Sequence, residues 1–192
     1  MEENKLVVLV GIPGVGKSTL LAKVVEILRG RQIKASVNSF GTMMLETARE
    51  NGIQDRDEMR KLAVSKQQNL QKTAAKKISQ LDDDVVIVDT HAFISSPEGY
   101  YPGLPEHVLE IIKPTNFISV SAKPEEIYSR RINDTSRNRD MITLPDIKAE
   151  LDVQAGMISA CAVITGSPVK FVQNDEGKVD EAASIIIKAL GL

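Results

Sequence analysis

Residues 11–19 read Gly11, Ile12, Pro13, Gly14, Val15, Gly16, Lys17, Ser18 and Thr19. They fit a phosphate-binding loop: glycine, any four residues, glycine, lysine, then serine or threonine. Few short stretches constrain a fold as much, because this loop works only between a buried strand and a helix. Both flanks comply. Lys5, Leu6, Val7, Val8, Leu9 and Val10 form a short apolar, β-branched run of the kind found in a buried parallel strand. Leu20, Leu21, Val24, Val25 and Leu28 then recur at helical spacing. Between them, Gly11, Gly14 and Gly16 allow the backbone to turn its N–H groups inward around a phosphate. The helix N-terminus adds partial positive charge at the same point. Lys17 is expected to reach the β- and γ-phosphates of a bound nucleotide and Ser18 to supply a hydroxyl ligand to Mg²⁺.

The 192 residues suit one domain with a sizeable core, here read as a single P-loop domain over 1–192. A formal net charge of −2 argues against a non-specific nucleic-acid binder. With no Trp and only 4% aromatic residues there is little material for stacking bases. The lone Cys161 allows neither an intrachain disulfide nor a multi-cysteine zinc site, and in its apolar run it reads as a small core residue. No apolar stretch approaches membrane-spanning length, and residues 1–10 lack a secretory layout, so the expectation is a cytoplasmic protein.

Beyond the loop, strands are expected over 33–40, 85–88, 117–121 and 169–173. Helices are expected over 42–51, 55–80, 106–112, from 124, over 146–164 and over 179–190. Asp55 and Glu58 form a capping box for the helix from 55. Residues 95–105, with Pro97, Gly99, Pro102, Gly103 and Pro105, read as a loop shaped by proline and glycine. The alternation of strands and helices implies α/β architecture: a five-stranded parallel sheet between helical layers.

Val85, Val86, Ile87 and Val88 lead into Asp89. Four apolar residues followed by an acid place a carboxylate at a strand end, where it can hold Mg²⁺ or a metal-bound water. His91, two residues on, reads either as a substrate contact or as a structural histidine. Four of the nine arginines lie within 130–139. Arg130 and Arg131 end a helix, and Arg137 and Arg139 flank a polar turn. Guanidinium groups bind phosphate oxygens bidentately, and phosphoryl transfer between two anions needs such a clamp. Arg56 and Arg60 share a helix face, where they either meet an acceptor phosphate or pair with Asp57 and Glu58.

Several blocks taken together resemble one family. They are the loop at 11–19, the run from Asp55 to Leu62, Asp89 to Ala92, Gly99 to Pro105, and Thr135 to Asp140. This combination is similar to the archaeal-type adenylate kinases of the P-loop nucleoside monophosphate kinase superfamily, over nearly the whole chain. The resemblance implies reversible transfer of the γ-phosphoryl group of Mg·ATP to AMP, giving two ADP, without zinc. It implies a monophosphate-binding segment at 41–81, a short lid at 134–143 and a homotrimer. ATP then falls on Gly11 to Thr19, and the metal on Ser18 and Asp89. Catalysis falls on Lys17, Arg130, Arg137 and Arg139, and the AMP site on Phe40, Gly41, Arg56, Arg60, His91, Gly99 and Tyr100. One departure stands out. The place where better-known adenylate kinases carry an AMP-phosphate arginine reads Phe40 to Glu46 without one, leaving Arg56 or Arg60 as the substitute.

The residues agree on mechanism. A phosphate acceptor has a second pKa of about 6, so it needs charge and positioning rather than a general base. A kinase for pyrimidine monophosphates or for a hydroxylated metabolite is the alternative within the class, with Asp89 as the base a hydroxyl acceptor would want. A GTPase switch is disfavoured because Thr90, His91 and Ala92 follow Asp89 and no Asn-Lys-x-Asp occurs. An ATPase or RNA-maturation factor would want a glutamate after Asp89, where Thr90 stands.

Overall fold

The computed structural model describes residues 4–133 and 143–192, and at Asp57 and Arg60 the backbone only. The central strand β1 (Lys5–Val10) and the helix α1 (Lys17–Gly30) bracket the loop at 11–16. Then follow β2 (Ala35–Ser39), α2 (Phe40–Glu50), α3 (Arg56–Arg60), α4 (Val64–Ser79) and β3 (Val85–Thr90). A hairpin of β4 (Phe93–Ser96) and β5 (Gly99–Pro102) leads to α5 (Glu106–Ile112) and β6 (Asn116–Ser121). The chain closes with α6 (Pro124–Ile132), α7 (Leu144–Thr165), β7 (Val169–Gln173) and α8 (Val179–Ala189).

The main sheet has the order β2-β3-β1-β6-β7, and every pairing in it is parallel. Because β1 lies between β3 and β6, the chain builds β2 and β3 on one side of it and then β6 and β7 on the other, so the strand order reverses at β1. Ligands of open α/β sheets bind at such a reversal, beyond the carboxyl ends of the strands. The strands are apolar on both faces because both are covered. Val7 and Leu9 face the cluster built with Leu20, Val24 and Leu28 of α1 and Ile186 of α8. Val8 and Val10 face the one built with Ala74 and Ile78 of α4, Val108 and Ile112 of α5, and Ile158 of α7.

Two expectations need correction. The helix expected over 55–80 is two helices, α3 and α4, with 61–63 between them. The Asp55 carboxylate does accept from the Glu58 amide at 2.8 Å, but it starts only the five-residue α3. The stretch at 95–105 is not all loop either, since β4 and β5 pair antiparallel, with Ser96 opposite Gly99. Glycine and proline punctuation masked a tight two-residue turn. Smaller shifts have local causes. Phe40 begins α2 rather than ending β2, because the Ser39 hydroxyl caps that helix. α7 starts at Leu144 because Thr143 and Asp146 form a reciprocal capping box. Among the described residues, no helix is long and apolar enough to cross a membrane.

Candidate active site

The phosphate loop is shaped as its sequence requires. Gly16, the N-cap of α1, has φ +81, which a side chain rarely adopts, and a Cβ there would lie 2.7 Å from the Asn174 amide nitrogen. Lys17 Nζ donates to the Gly11 carbonyl at 2.6 Å and lies 3.8 Å from Asp89 Oδ1. The ends of β1 and β3, adjacent in the sheet, thus bring loop, lysine and carboxylate together. The longer distance is an ion-pair contact, beyond hydrogen-bond reach. Asp89 Oδ1 is accordingly buried without a hydrogen bond. Burial pushes the Asp89 pKa up, and the Lys17 charge opposes this. A buried carboxylate oxygen lacking a donor suits a hard cation or its water, and the Ser18 hydroxyl at the start of α1 is a second oxygen donor. Among the described residues, no group of three or more His, Cys, Asp or Glu is placed to hold a metal. Mg²⁺ at this place would complete its shell with phosphate oxygens and water.

Three side chains hold the loop from behind. Arg130 donates to the Gly14 carbonyl at 3.2 Å and to Glu126 at 3.0 Å, which sets its guanidinium at the loop. Arg131, only 6% exposed, donates through Nε to the Pro13 carbonyl at 2.7 Å and through Nη2 to Glu150 at 2.6 Å. Asn174, at the end of β7, donates to the Val15 carbonyl at 2.9 Å. From the sequence neither Arg131 nor Asn174 is expected as a support of the loop. For Arg131 a signal existed. It lies four residues after Ile127, and these two are the buried positions of α6. Asn174 carries no comparable pattern, because its contact spans 159 positions of sequence.

From the loop a cavity of about 350 Å³ runs past Asp89 to the helices α2, α3 and α4. It brings together Gly11, Ile12, Pro13, Phe40, Gly41, Arg56, Asp89 and His91 of the expected site. The exposed Arg56 guanidinium lies 3.4 Å from the Thr42 hydroxyl, against α2. Gly103 fixes the segment carrying His91. Its amide donates to the Ala92 carbonyl at 2.8 Å, and a Cβ there would overlap the carbonyl of His91. Gly99 and Tyr100 are not in the lining. Tyr100 instead packs edge-on against Phe93, which does line it, with ring centroids 4.9 Å apart. Arg60 is placed on α3 by its backbone alone. Arg137, Arg139 and all of the expected lid except Thr143 lie outside the described residues.

The cavity also takes in Met44, Met59, Gln67, Gln71, Glu150 and Gln154, none of them expected at a site. In the sequence Gln67 and Gln71 stand among the Lys, Gln and Asn of a polar helix face, and Met44 and Met59 at apolar positions of their helices. Gln154 did carry a signal: a glutamine beside an apolar helical run. It is 2% exposed and donates to the Ser119 hydroxyl and the Val120 carbonyl, each at 3.0 Å.

Comparison with known proteins agrees with this geometry. A family model described as an AAA domain matches residues 10–148. The adenylate kinase of Methanocaldococcus jannaschii is 39% identical over 98% of this chain and 99% of its own length. That of Methanococcus vannielii is 40% identical over 98% and 99%, and that of Thermoplasma acidophilum 40% identical over 96% and 98%. Among solved structures, shikimate kinase from Acinetobacter baumannii superimposes with a TM-score of 0.60 at 13% identity, covering 98% of this chain and 94% of that one. Shikimate kinase from Aquifex aeolicus gives 0.58 at 17%, covering 97% and 96%. At such identities these two structures speak to the fold alone.

Proposed function

Since the chain belongs to the adenylate kinase family, we propose that it transfers the γ-phosphoryl group of Mg·ATP reversibly to AMP, yielding two ADP. The observation that carries this reading is the continuity of the cavity. One end is the phosphate loop and the other is walled by α2, α3 and α4, so donor and acceptor phosphates can meet over Lys17 and Asp89. In this reading the backbone of Gly11 to Thr19 cradles the ATP phosphates, and Lys17 leaves the Gly11 carbonyl for their oxygens. Ser18 and Asp89 hold Mg²⁺, which when bound neutralises charge on the β- and γ-phosphates. Arg130, already at the loop, and Arg137 and Arg139 of the 134–143 lid stabilise the charge spread over the moving group. Phe40, Gly41, Arg56 and His91 take the AMP. Arg56 stands in for the phosphate-binding arginine absent from 40–46, with Arg60 as a second candidate. Gly99 and Tyr100 act through Phe93. No general base is required, because the acceptor phosphate, with a second pKa of about 6, is ionised near neutral pH.

The enzyme is proposed to act in the cytoplasm as a homotrimer. The number three rests on family resemblance, and self-association on exposed apolar side chains such as Val163 and Ile164 of α7. The decisive experiment is a panel of AMP, GMP, CMP and UMP with Mg·ATP, following diphosphate formation. AMP is expected to be the fastest acceptor, with no transfer when Mg²⁺ is chelated and full recovery on Mg²⁺ addition alone. Faster transfer to CMP or UMP assigns the chain to pyrimidine monophosphates. ADP formation independent of any monophosphate makes it an ATPase.

A further inference from the structure

The wall of the cavity on α4 is polar where it faces two sulfur-bearing side chains. Gln67 and Gln71 are four residues apart, one helical turn, and both line the cavity, as do Met44 of α2 and Met59 of α3. Methionines offer flat, polarisable contact to a planar ring. A glutamine amide offers hydrogen bonds to a base edge, the reason Asn and Gln read adenine in nucleic acids. Such an amide discriminates only if its two ends are told apart, and for Gln71 they are. Its Oε1 lies 2.9 Å from Nε2 of His107, which sits on α5 outside the cavity lining. An amide oxygen can only accept, so His107 carries its proton on Nε2. Burial first, then the Lys72 charge, outweigh a smaller opposing pull from Glu110 and hold the pKa of His107 below the ordinary histidine value, favouring the neutral ring; the contact with the Gln71 oxygen selects the tautomer. With its oxygen committed, Gln71 has its NH₂ end, two N–H donors, left for the cavity. Among the described residues that nitrogen has no hydrogen-bond partner.

We infer that Gln71, its amide turned by His107, donates a hydrogen bond to a ring nitrogen of the acceptor base, making Gln71 specificity-determining and His107 a positioning residue. This rests on the reading that the cavity holds AMP. Adenine presents three accepting ring nitrogens outside the glycosidic bond, N1, N3 and N7, and replacing one of them by C–H removes the acceptor without changing the shape. One neutral hydrogen bond changes affinity by about three- to tenfold.

The test is steady-state kinetics with AMP and its 1-deaza, 3-deaza and 7-deaza analogues, on the full chain and its variants. The expected result is that one analogue has a KM about three- to tenfold above that of AMP with the unmodified protein. In Gln71→Leu the KM for AMP should rise by a similar factor and that analogue should become equivalent to AMP, while the KM for ATP moves less than about twofold. His107→Leu should lose the same discrimination, and His107→Gln, which keeps an N–H donor at similar reach, should restore it. A general packing defect would raise all KM values and spare the ratio between AMP and its analogue. Equal KM values for AMP and all three analogues with the unmodified protein, or a preserved ratio in folded Gln71→Leu, overturn the inference. Failure of the unmodified protein to phosphorylate AMP overturns the proposed function itself.

Discussion

Asp89, the proposed metal ligand, stands where burial works against its charge. It follows four apolar, buried residues of its strand, Val85 to Val88, and burial raises its pKa above the ordinary value of 3.8. The folded protein therefore holds that proton to higher pH than the unfolded chain. Between the two values the native state binds more protons, so stability falls as pH rises through that window. Above that window the penalty is fully present. Asp89→Asn is therefore expected to melt at a higher temperature than the unmodified protein at pH 7 in chelator, while losing phosphoryl transfer with Mg²⁺. Scanning calorimetry from pH 7 downward should show the difference shrinking as the carboxyl becomes protonated in both states. A variant less stable than the parent at pH 7 would mean that the Lys17 attraction outweighs desolvation.

The functional unit at the element scale is the set of strand and helix ends stapled to the phosphate loop. Arg131 on α6 ties the loop carbonyl of Pro13 to Glu150 on α7, and its side chain is nearly inaccessible while that of Glu150 is 21% exposed. Arg131→Leu leaves a loop carbonyl without its donor and a partly buried carboxylate without its cation, and should lose about 2–3 kcal/mol in urea unfolding. Glu150→Gln keeps the contact with Pro13 and an acceptor for the guanidinium but leaves the nearly inaccessible Arg131 charge without its counter-ion, so it should cost less, about 1–2 kcal/mol. Equal losses in the two variants would show that the ion pair, not the contact with the loop, dominates.

At the scale of the whole molecule, α7 is apolar on more than the face it buries. Ile147, Gln154, Ile158 and Cys161 point inward, yet Val163 is 84% exposed and Ile164 59%. Phe171, on the edge strand β7, is half exposed. Apolar side chains left in water in this way commonly mark an interface. Sedimentation equilibrium at micromolar concentration is expected to give a trimer, and Val163→Lys should shift it toward the 21.0 kDa monomer. A single monomeric species for the unmodified protein would reject self-association, and a dimer would reject the number three. The same helix marks how far the sequence reaches. Residues 11–19 and their flanks determined by themselves that a phosphate loop joins a buried strand to a helix, because loop chemistry and hydrophobic period are local properties. Asp89 was legible for the same reason. Family blocks spread along the chain pointed to Arg56 and His91. Tertiary structure alone decided which side chains wall the cavity. Gln67 and Gln71 belong to a helix whose pattern reads as solvated, and only the packing of α2 and α3 opposite them turns that face into a lining. Asn174 and Arg131 meet the loop across 159 and 118 positions. Contacts at such separation are set by strand order, which no local period encodes.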